Sequence, residues 1–187
     1  AGCGYMYEIK RQGKGTTRKL DPVSRQISSV PITASVVSDE NMPDSYAWND
    51  GLWMIKRKKE AGKKKPVTVY EVSLTDWLKE KSADELVDFV KQEGYTHVCF
   101  LPVAEYLNEE MNGYSTLGYF AVTHRTGGSD AFKKLVDDCH NAGIGVIIDW
   151  NGAYFGTEVK GLYDFDGADA YGYLCLLYTS DAADEED

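Results

Sequence analysis

The clearest pattern in the chain is Gly143 to Phe155, GIGVIIDWNGAYF. Ile144, Gly145, Val146, Ile147 and Ile148 form a short apolar run that ends at Asp149 and Trp150. Such a run, placed after a helix signal, reads as a strand buried on both faces, the pattern of a parallel sheet. Asp149 then falls at the strand's carboxyl end, where α/β barrels and open α/β sheets bind ligands.

The same alternation of apolar strand and amphipathic helix runs back to Pro66. Val67 to Leu74 (VTVYEVSL) is rich in β-branched residues and predicts a strand. Ser82-Ala83-Asp84-Glu85 has the form of a capping box, and Leu86, Val87, Phe89 and Val90 follow at helical spacing until Gly94. His97 to Val103 (HVCFLPV) predicts a second buried strand. Ser129 opens a second helix, with Phe132, Leu135, Val136 and Cys139 on one face and Gly143 as its stop. The order strand, helix, strand, long loop, helix, strand is a βαβαβ run, so an α/β fold with a parallel sheet is expected. The loop over residues 104–128 is too long for a plain connector. Loops leaving the carboxyl ends of strands are where such folds carry function.

Residues 1–55 follow another pattern. Tyr5, Tyr7 and Ile9 alternate with Met6, Glu8 and Lys10, which predicts a strand, and Gln12-Gly13-Lys14-Gly15 predicts a turn. Asn49-Asp50-Gly51 is a further turn signal. No long helix is expected here, so the segment reads as the end of a small all-β module. Residues 56–65, KRKKEAGKKK, hold seven basic residues beside a glycine. They read as a solvated connector rather than an anion-binding patch.

Composition narrows the field. The chain has 187 residues, 43% of them hydrophobic, with a formal net charge of −10. That charge argues against nucleic acid as a partner, and no apolar run is long enough to span a bilayer. No signal peptide is visible at the N-terminus, and the missing initiator Met fits a truncated start. Cys3, Cys99, Cys139 and Cys175 show no zinc-ligand spacing. Two of them sit in a strand and on a helix's apolar face, which fits buried free thiols in a reducing cytoplasm. No cofactor and no metal are expected.

Several stretches taken together resemble bacterial glycogen (1,4-α-glucan) branching enzymes of the α-amylase clan. Val69-Tyr70-Glu71-Val72-Ser73-Leu74-Thr75-Asp76-Trp77 resembles that family's opening barrel strand. Tyr95-Thr96-His97-Val98 with Leu101-Pro102-Val103 resembles the second. Gly113-Tyr114 through Gly118-Tyr119-Phe120-Ala121-Val122-Thr123 with Arg125 is similar to the loop that follows. Asp137-Asp138-Cys139-His140 through Asp149-Trp150 is similar to the DxCHxxGIGVILDW segment, and Gly161-Leu162 and Phe165-Asp166-Gly167 match the stretch beyond. Asp21-Pro22, Thr33-Ala34-Ser35 and Trp48-Asn49-Asp50-Gly51-Leu52-Trp53 resemble the end of the β-sandwich module that precedes the barrel.

The resemblance implies a partial TIM (β/α)8 barrel, its first three βα units, preceded by the end of an all-β sandwich carbohydrate-binding module. The expected division is residues 1–55 for the glycogen-binding module, 56–66 for the linker and 67–174 for the barrel. It implies retaining transglycosylation on glycogen or another α-1,4-glucan, with an Asp nucleophile and a Glu acid/base. Those carboxylates would lie beyond residue 174, so no catalytic residue is assigned and residues 1–174 alone are expected to be inactive. Tyr114 matches a tyrosine that packs on the glucose at the cleavage point, and Asp149 an aspartate that shapes the site. Their plainer readings are a rim-packing aromatic and a loop or capping carboxylate. Tyr154 stands where the family has a sugar-binding His, Asn112 where a Trp is usual, and Ser115-Thr116 where Gln-Pro is usual. His124 replaces a usual Ser, and none of the three histidines is a catalytic candidate.

Those departures keep two other readings open, a non-catalytic glucan-binding homologue and an amylase-type hydrolase. Residues 175–187 carry five acidic residues and no basic one. They resemble the in-frame translation of a transposase sequencing adapter. An open three-strand piece of a barrel leaves unpaired edges, so residues 1–174 alone are expected to melt without cooperativity. A cooperative melt with monodisperse behaviour would contradict this.

Overall fold

The computed structural model describes residues 2–11, 13, 15–28, 32–37, 46–107, 109–152, 156–157 and 160–167, with Glu110 by its backbone alone. Residues 175–187 and Tyr154 lie outside them.

The first strands are short and antiparallel. β1 (Gly4–Tyr5), β4 (Ile27–Ser28) and β5 (Ala34–Val36) form one small sheet in the order β1-β5-β4. β2 (Tyr7–Arg11) and β3 (Gly15–Lys19) form a hairpin whose register runs from Tyr7 opposite Lys19 to Arg11 opposite Gly15. The alternating stretch from Tyr5 to Ile9 is therefore split at Met6 between two sheets.

Residues 160–167 pin this hairpin. The Lys19 side chain is 1% exposed and donates to the Tyr163 carbonyl at 2.5 Å. Burial lowers its ammonium pKa from the usual lysine value. Arg11 pairs with Asp164 at 2.5 Å, and the Leu20 amide donates to the Lys160 carbonyl.

The first half of the connector expected over 56–65 is helical, in α1 (Gly51–Glu60), which begins inside the expected turn. Ten residues without Gly or Pro after Gly51 favour helix over loop. None of its residues is buried; it is anchored from its N-terminal end. Asp50 precedes it, and its carboxylate does not cap the helix but bonds His140 Nδ1 at 2.7 Å. Trp53 stacks on the His140 ring at 5.0 Å and 13°. Asp137, 3% exposed, accepts from the Asn49 amide at 3.0 Å and from Tyr46 Oη at 3.2 Å. A carboxylate buried this deeply requires such donors.

The centre of the molecule is a parallel three-stranded sheet. β6 (Val69–Val72), β7 (His97–Phe100) and β10 (Gly145–Ile148) pair in the order β10-β7-β6. The short α2 (Leu74–Trp77) follows β6. α3 (Ala83–Gln92) starts at Ser82 with both halves of the capping box formed, as the sequence predicts. α4 (Gly128–Asn141) follows Gly127, which has φ of 86°.

α3 and α4 cover one face of the sheet. Leu86, Val90, Phe132, Leu135 and Cys139 from the helices meet Val72, Val98 and Phe100 from the strands in one core. The opposite face aligns Glu71, Cys99 and Ile147 in one row by register.

The expectation that the third strand is buried on both faces is corrected. Ile147 and Ile148 are 39% and 46% exposed, because β10 is an edge strand among the described residues and only one face of the sheet is covered by helices.

The long loop also has structure. β8 (Ala104–Tyr106) and β9 (Thr116–Val122) form an irregular antiparallel hairpin, with 3-10 turns at Glu109–Met111 and His124–Thr126. Leu117 and Ala121 of β9 pack with Leu20 and Ile27 of the N-terminal sheets. A Cβ at Gly118 would lie 2.3 Å from Ile27 Cδ1, so Gly118 permits that approach.

The anchoring of α1 gives a direct test. Replacing the Asp137 acceptor (Asp137→Asn) or removing the stacked ring (His140→Ala) should speed tryptic cleavage after Lys56 to Lys59 several-fold, because local opening becomes easier. Leu52→Ala, at a side chain 83% exposed, should leave the rate unchanged. Equal rates in all three variants would contradict the anchor.

Candidate functional site

Tyr114 and Asp149 arrive at one place from separate parts of the chain. Asp149 directly follows β10, and its amide donates to the Phe100 carbonyl at 2.9 Å. That bond continues the β7–β10 ladder one residue past the strand and fixes the carboxylate at the sheet's carboxyl end. Tyr114 leaves the hairpin's connecting turn, where its amide donates to the Met111 carbonyl at 2.9 Å.

The turn needs left-handed backbone at Asn112 (φ 48°) and Gly113 (φ 86°). Asn tolerates that region better than a bulky residue does. Gly113 also lies so close to Pro102 that a Cβ would be 2.7 Å from its carbonyl oxygen. Tyr114 Oη then donates to Asp149 Oδ2.

Electrostatics sharpen the pair. The hydrogen bond to Asp149 is the largest cause holding the Tyr114 phenol up to about 12, followed by burial, the Asp149 charge, and the charges of Glu71 and Cys99. Burial raises the Cys99 thiol, helped by Glu71 and Asp149. Cys99 is therefore kept protonated at neutral pH and is a poor nucleophile. Residues from the uncovered face of the sheet thus reach the site from below.

The hairpin that carries Tyr114 is held by a residue not singled out as a site residue from the sequence. Glu105 is 1% exposed. Its carboxylate accepts from Arg125 Nη1 at 2.9 Å, the His124 amide at 3.0 Å and Thr123 Oγ1 at 3.2 Å, and contacts His124 Nδ1 at 3.0 Å. The Arg125 guanidinium also lies 4.4 Å over the Tyr106 ring and donates to the Tyr106 carbonyl. A single Glu between apolar residues in a long loop gives little warning of such burial.

Of the three residues singled out for substrate contact, the structure brings Tyr114 and Asp149 together. Tyr154 lies outside the described residues, so its placement is not given. His97 bonds Thr96, His124 contacts Glu105 and His140 contacts Asp50. Among the described residues no group of three or more His, Cys, Asp or Glu side chains is placed to hold a metal ion. No described helix is long and apolar enough to cross a membrane.

The fold is shared with a structure of the α-amylase family. A crystal structure of a candidate alpha amylase from Salmonella typhimurium superimposes with a TM-score of 0.62 at 25% identity, over 83% of this chain and 25% of that one. Over nine-tenths of its length the chain is similar to 1,4-alpha-glucan branching enzymes. It is 40% identical over 180 residues to the 1,4-alpha-glucan branching enzyme GlgB of Methylococcus capsulatus, covering 91% of this chain and 24% of that protein. It is 37% identical over 182 residues to the GlgB of Lactiplantibacillus plantarum, covering 92% and 28%. The chain thus spans about a quarter of the length of these relatives. No family model matches the chain.

The raised phenol gives a pH prediction with a definite sign. The folded-state pKa of Tyr114, about 12, lies above that of a free tyrosine at ~10. The contribution of its hydrogen bond is therefore complete below ~10 and is lost as pH rises through about 12. NMR of ring-labelled tyrosines should show Tyr114 titrating near the top of the range, beside Tyr5, which Asp21 holds up to about 12, and only the Tyr114 resonance should move toward ~10 in Asp149→Asn. A Tyr114 resonance that titrates identically in both proteins would contradict the pair.

Proposed function

We propose that this chain is part of a 1,4-α-glucan branching enzyme, and that Tyr114 and Asp149 form one wall of its sugar subsite. The observation that carries this reading is their hydrogen bond at the carboxyl end of the parallel sheet, where such folds bind ligands. The shared carboxylate fixes the phenol, so the aromatic ring is held ready for the C–H face of a glucose ring.

On this reading residues 67–174 are the N-terminal part of a (β/α)8 barrel, its first three βα units. Residues 1–55 are the C-terminal part of a β-sandwich glycogen-binding module and residues 56–66 the linker, whose first five residues are helical in α1. Tyr154 would contact the sugar from the segment after Asp149, taking the place of a His. The reaction is retaining transglycosylation. A carboxylate attacks the anomeric carbon of an α-1,4 bond, and an acid/base carboxyl protonates the leaving oxygen and later deprotonates a 6-hydroxyl acceptor. Both carboxyls lie beyond residue 174 in this account, so residues 1–174 alone would be inactive. Free thiols at Cys3, Cys99 and Cys139 fit a cytoplasmic setting, where glycogen is the natural partner.

The test is product analysis. The gene product that contains this chain, incubated with amylose, should yield chains that a debranching enzyme shortens, with no net rise in reducing ends, because each α-1,4 bond broken is replaced by one α-1,6 bond. Maltose as the main product would favour an amylase-type hydrolase. Glycogen binding without either product would favour a non-catalytic homologue. Asp149→Asn should lower turnover at least tenfold in the active protein; unchanged turnover would remove Asp149 from the site.

A further inference from the structure

We infer that Lys19 and Arg11, on the β2–β3 hairpin, are positioning residues for the Tyr114–Asp149 pair, because they clamp the segment that follows Asp149 against the turn that carries the phenol. The inference rests on reading that pair as part of a glucan site, and it gives the N-terminal strands a part in building that site.

The clamp takes three successive carbonyls. Lys19 Nζ donates to the Tyr163 carbonyl at 2.5 Å, and the Arg11 guanidinium donates to the carbonyls of Asp164 and Phe165. Arg11 also pairs with the Asp164 carboxylate at 2.5 Å. Asp164 has φ of 47°, a left-handed conformation that a residue other than glycine keeps where its surroundings impose it. Arg11 imposes it by holding the main chain and the side chain of that residue at once. Gly167 completes the fit: its φ is 85°, and a Cβ there would meet Arg11 Cδ at 3.1 Å.

The two charges are kept at a cost. Lys19 is 1% exposed, and burial, with the Arg11 charge beside it, lowers its ammonium pKa. A well-packed apolar side chain would fill the same space without that cost. What the ammonium adds is direction, a charged donor aimed at one carbonyl, which fixes where the segment lies rather than merely burying it. From there the restraint reaches the phenol through contacts already made. The Gly156 amide donates to the Thr116 carbonyl at 3.1 Å, and a Cβ at Gly156 would come within 2.6 Å of Ser115 Oγ. Ser115 and Thr116 directly follow Tyr114. Leu20, next to Lys19, donates its amide to the Lys160 carbonyl at 2.8 Å and packs with Leu117 of β9. The segment after β10 is therefore braced by the sheet at Asp149, by the hairpin at Gly156 and by Lys19 and Arg11 at residues 163–165.

Two variants of the gene product that contains this chain test this. Lys19→Met keeps the length and apolar stem of the side chain and removes the donor, so it is expected to fold. Arg11→Lys keeps a charge for Asp164 and loses the fork that reaches two carbonyls. The readout is NMR of ring-labelled tyrosines, with the Tyr114 resonance identified by its absence in Tyr114→Phe. The Tyr114 phenol, held up to about 12 chiefly by Asp149, should titrate lower in both variants, toward ~10. Tyr5, held up by Asp21 within the N-terminal strands, should not move. Amylose turnover should fall about tenfold in both variants, because alignment is lost. An unmoved Tyr114 titration or normal turnover in both variants overturns the clamp. A shift of Tyr5 together with Tyr114 means that the N-terminal strands have loosened as a whole, and it overturns the clamp as well. Absence of turnover in wild type sinks the glucan reading alone, since the Tyr114 titration reports the clamp without substrate.

Discussion

Glu105 is the constraint on which the long loop depends. A carboxylate that is 1% exposed is costly unless donors surround it, and every donor here except the Tyr106 amide comes from residues 123–125. The two ends of the β8–β9 hairpin are thereby tied together at one point, with Arg125 bridging onward to Glu109 in the turn. That turn ends at Tyr114. The position of the phenol is thus set by a buried ion pair on one side and by Asp149 on the other. Removing one partner of such a buried pair typically costs about 3–5 kcal/mol, enough to free the hairpin.

The sheet supplies the other half of the arrangement. Its covered face is a conventional core, with α3 and α4 packed over alternate strand residues. Its opposite face brings Glu71 and Cys99 beneath the Tyr114–Asp149 pair, and the Glu71 charge adds to the forces that keep the phenol protonated. The same strand geometry that buries Val98 and Phe100 therefore turns Cys99 toward the site, because neighbouring strand residues point to opposite faces. Stability and site electrostatics are set by alternate residues of one strand.

Much of this was legible in the sequence. The three parallel strands, both long helices of the βαβαβ run and the Ser82 capping box follow from periodicity and cap chemistry, which are local. Asp149 was legible because a strand-end carboxylate follows an unbroken apolar run. Tyr114 emerged only through resemblance, since its partner is 35 residues away and no spacing rule links them. Two features were misread for physical reasons. The lysine-rich stretch gave no sign of helix because its charges dominate the pattern, whereas Asp50 and Trp53 at the start of α1 fasten that helix, and with it the stretch's first half, to α4. The third strand was taken as doubly buried because an apolar run cannot show which strands lie at an edge. Glu105 stayed hidden because burial of a charge depends on donors 18–20 residues away.

The central claim is that Tyr114 and Asp149 act as one unit toward an α-glucan. A double-mutant cycle with Tyr114→Phe and Asp149→Asn, read by maltoheptaose affinity, measures that directly. If the pair is one unit, the two losses are strongly non-additive, with a coupling of about 1 kcal/mol or more and the double variant little worse than the poorer single one. Losses that add to within ~0.3 kcal/mol would contradict it and make the contact a structural coincidence.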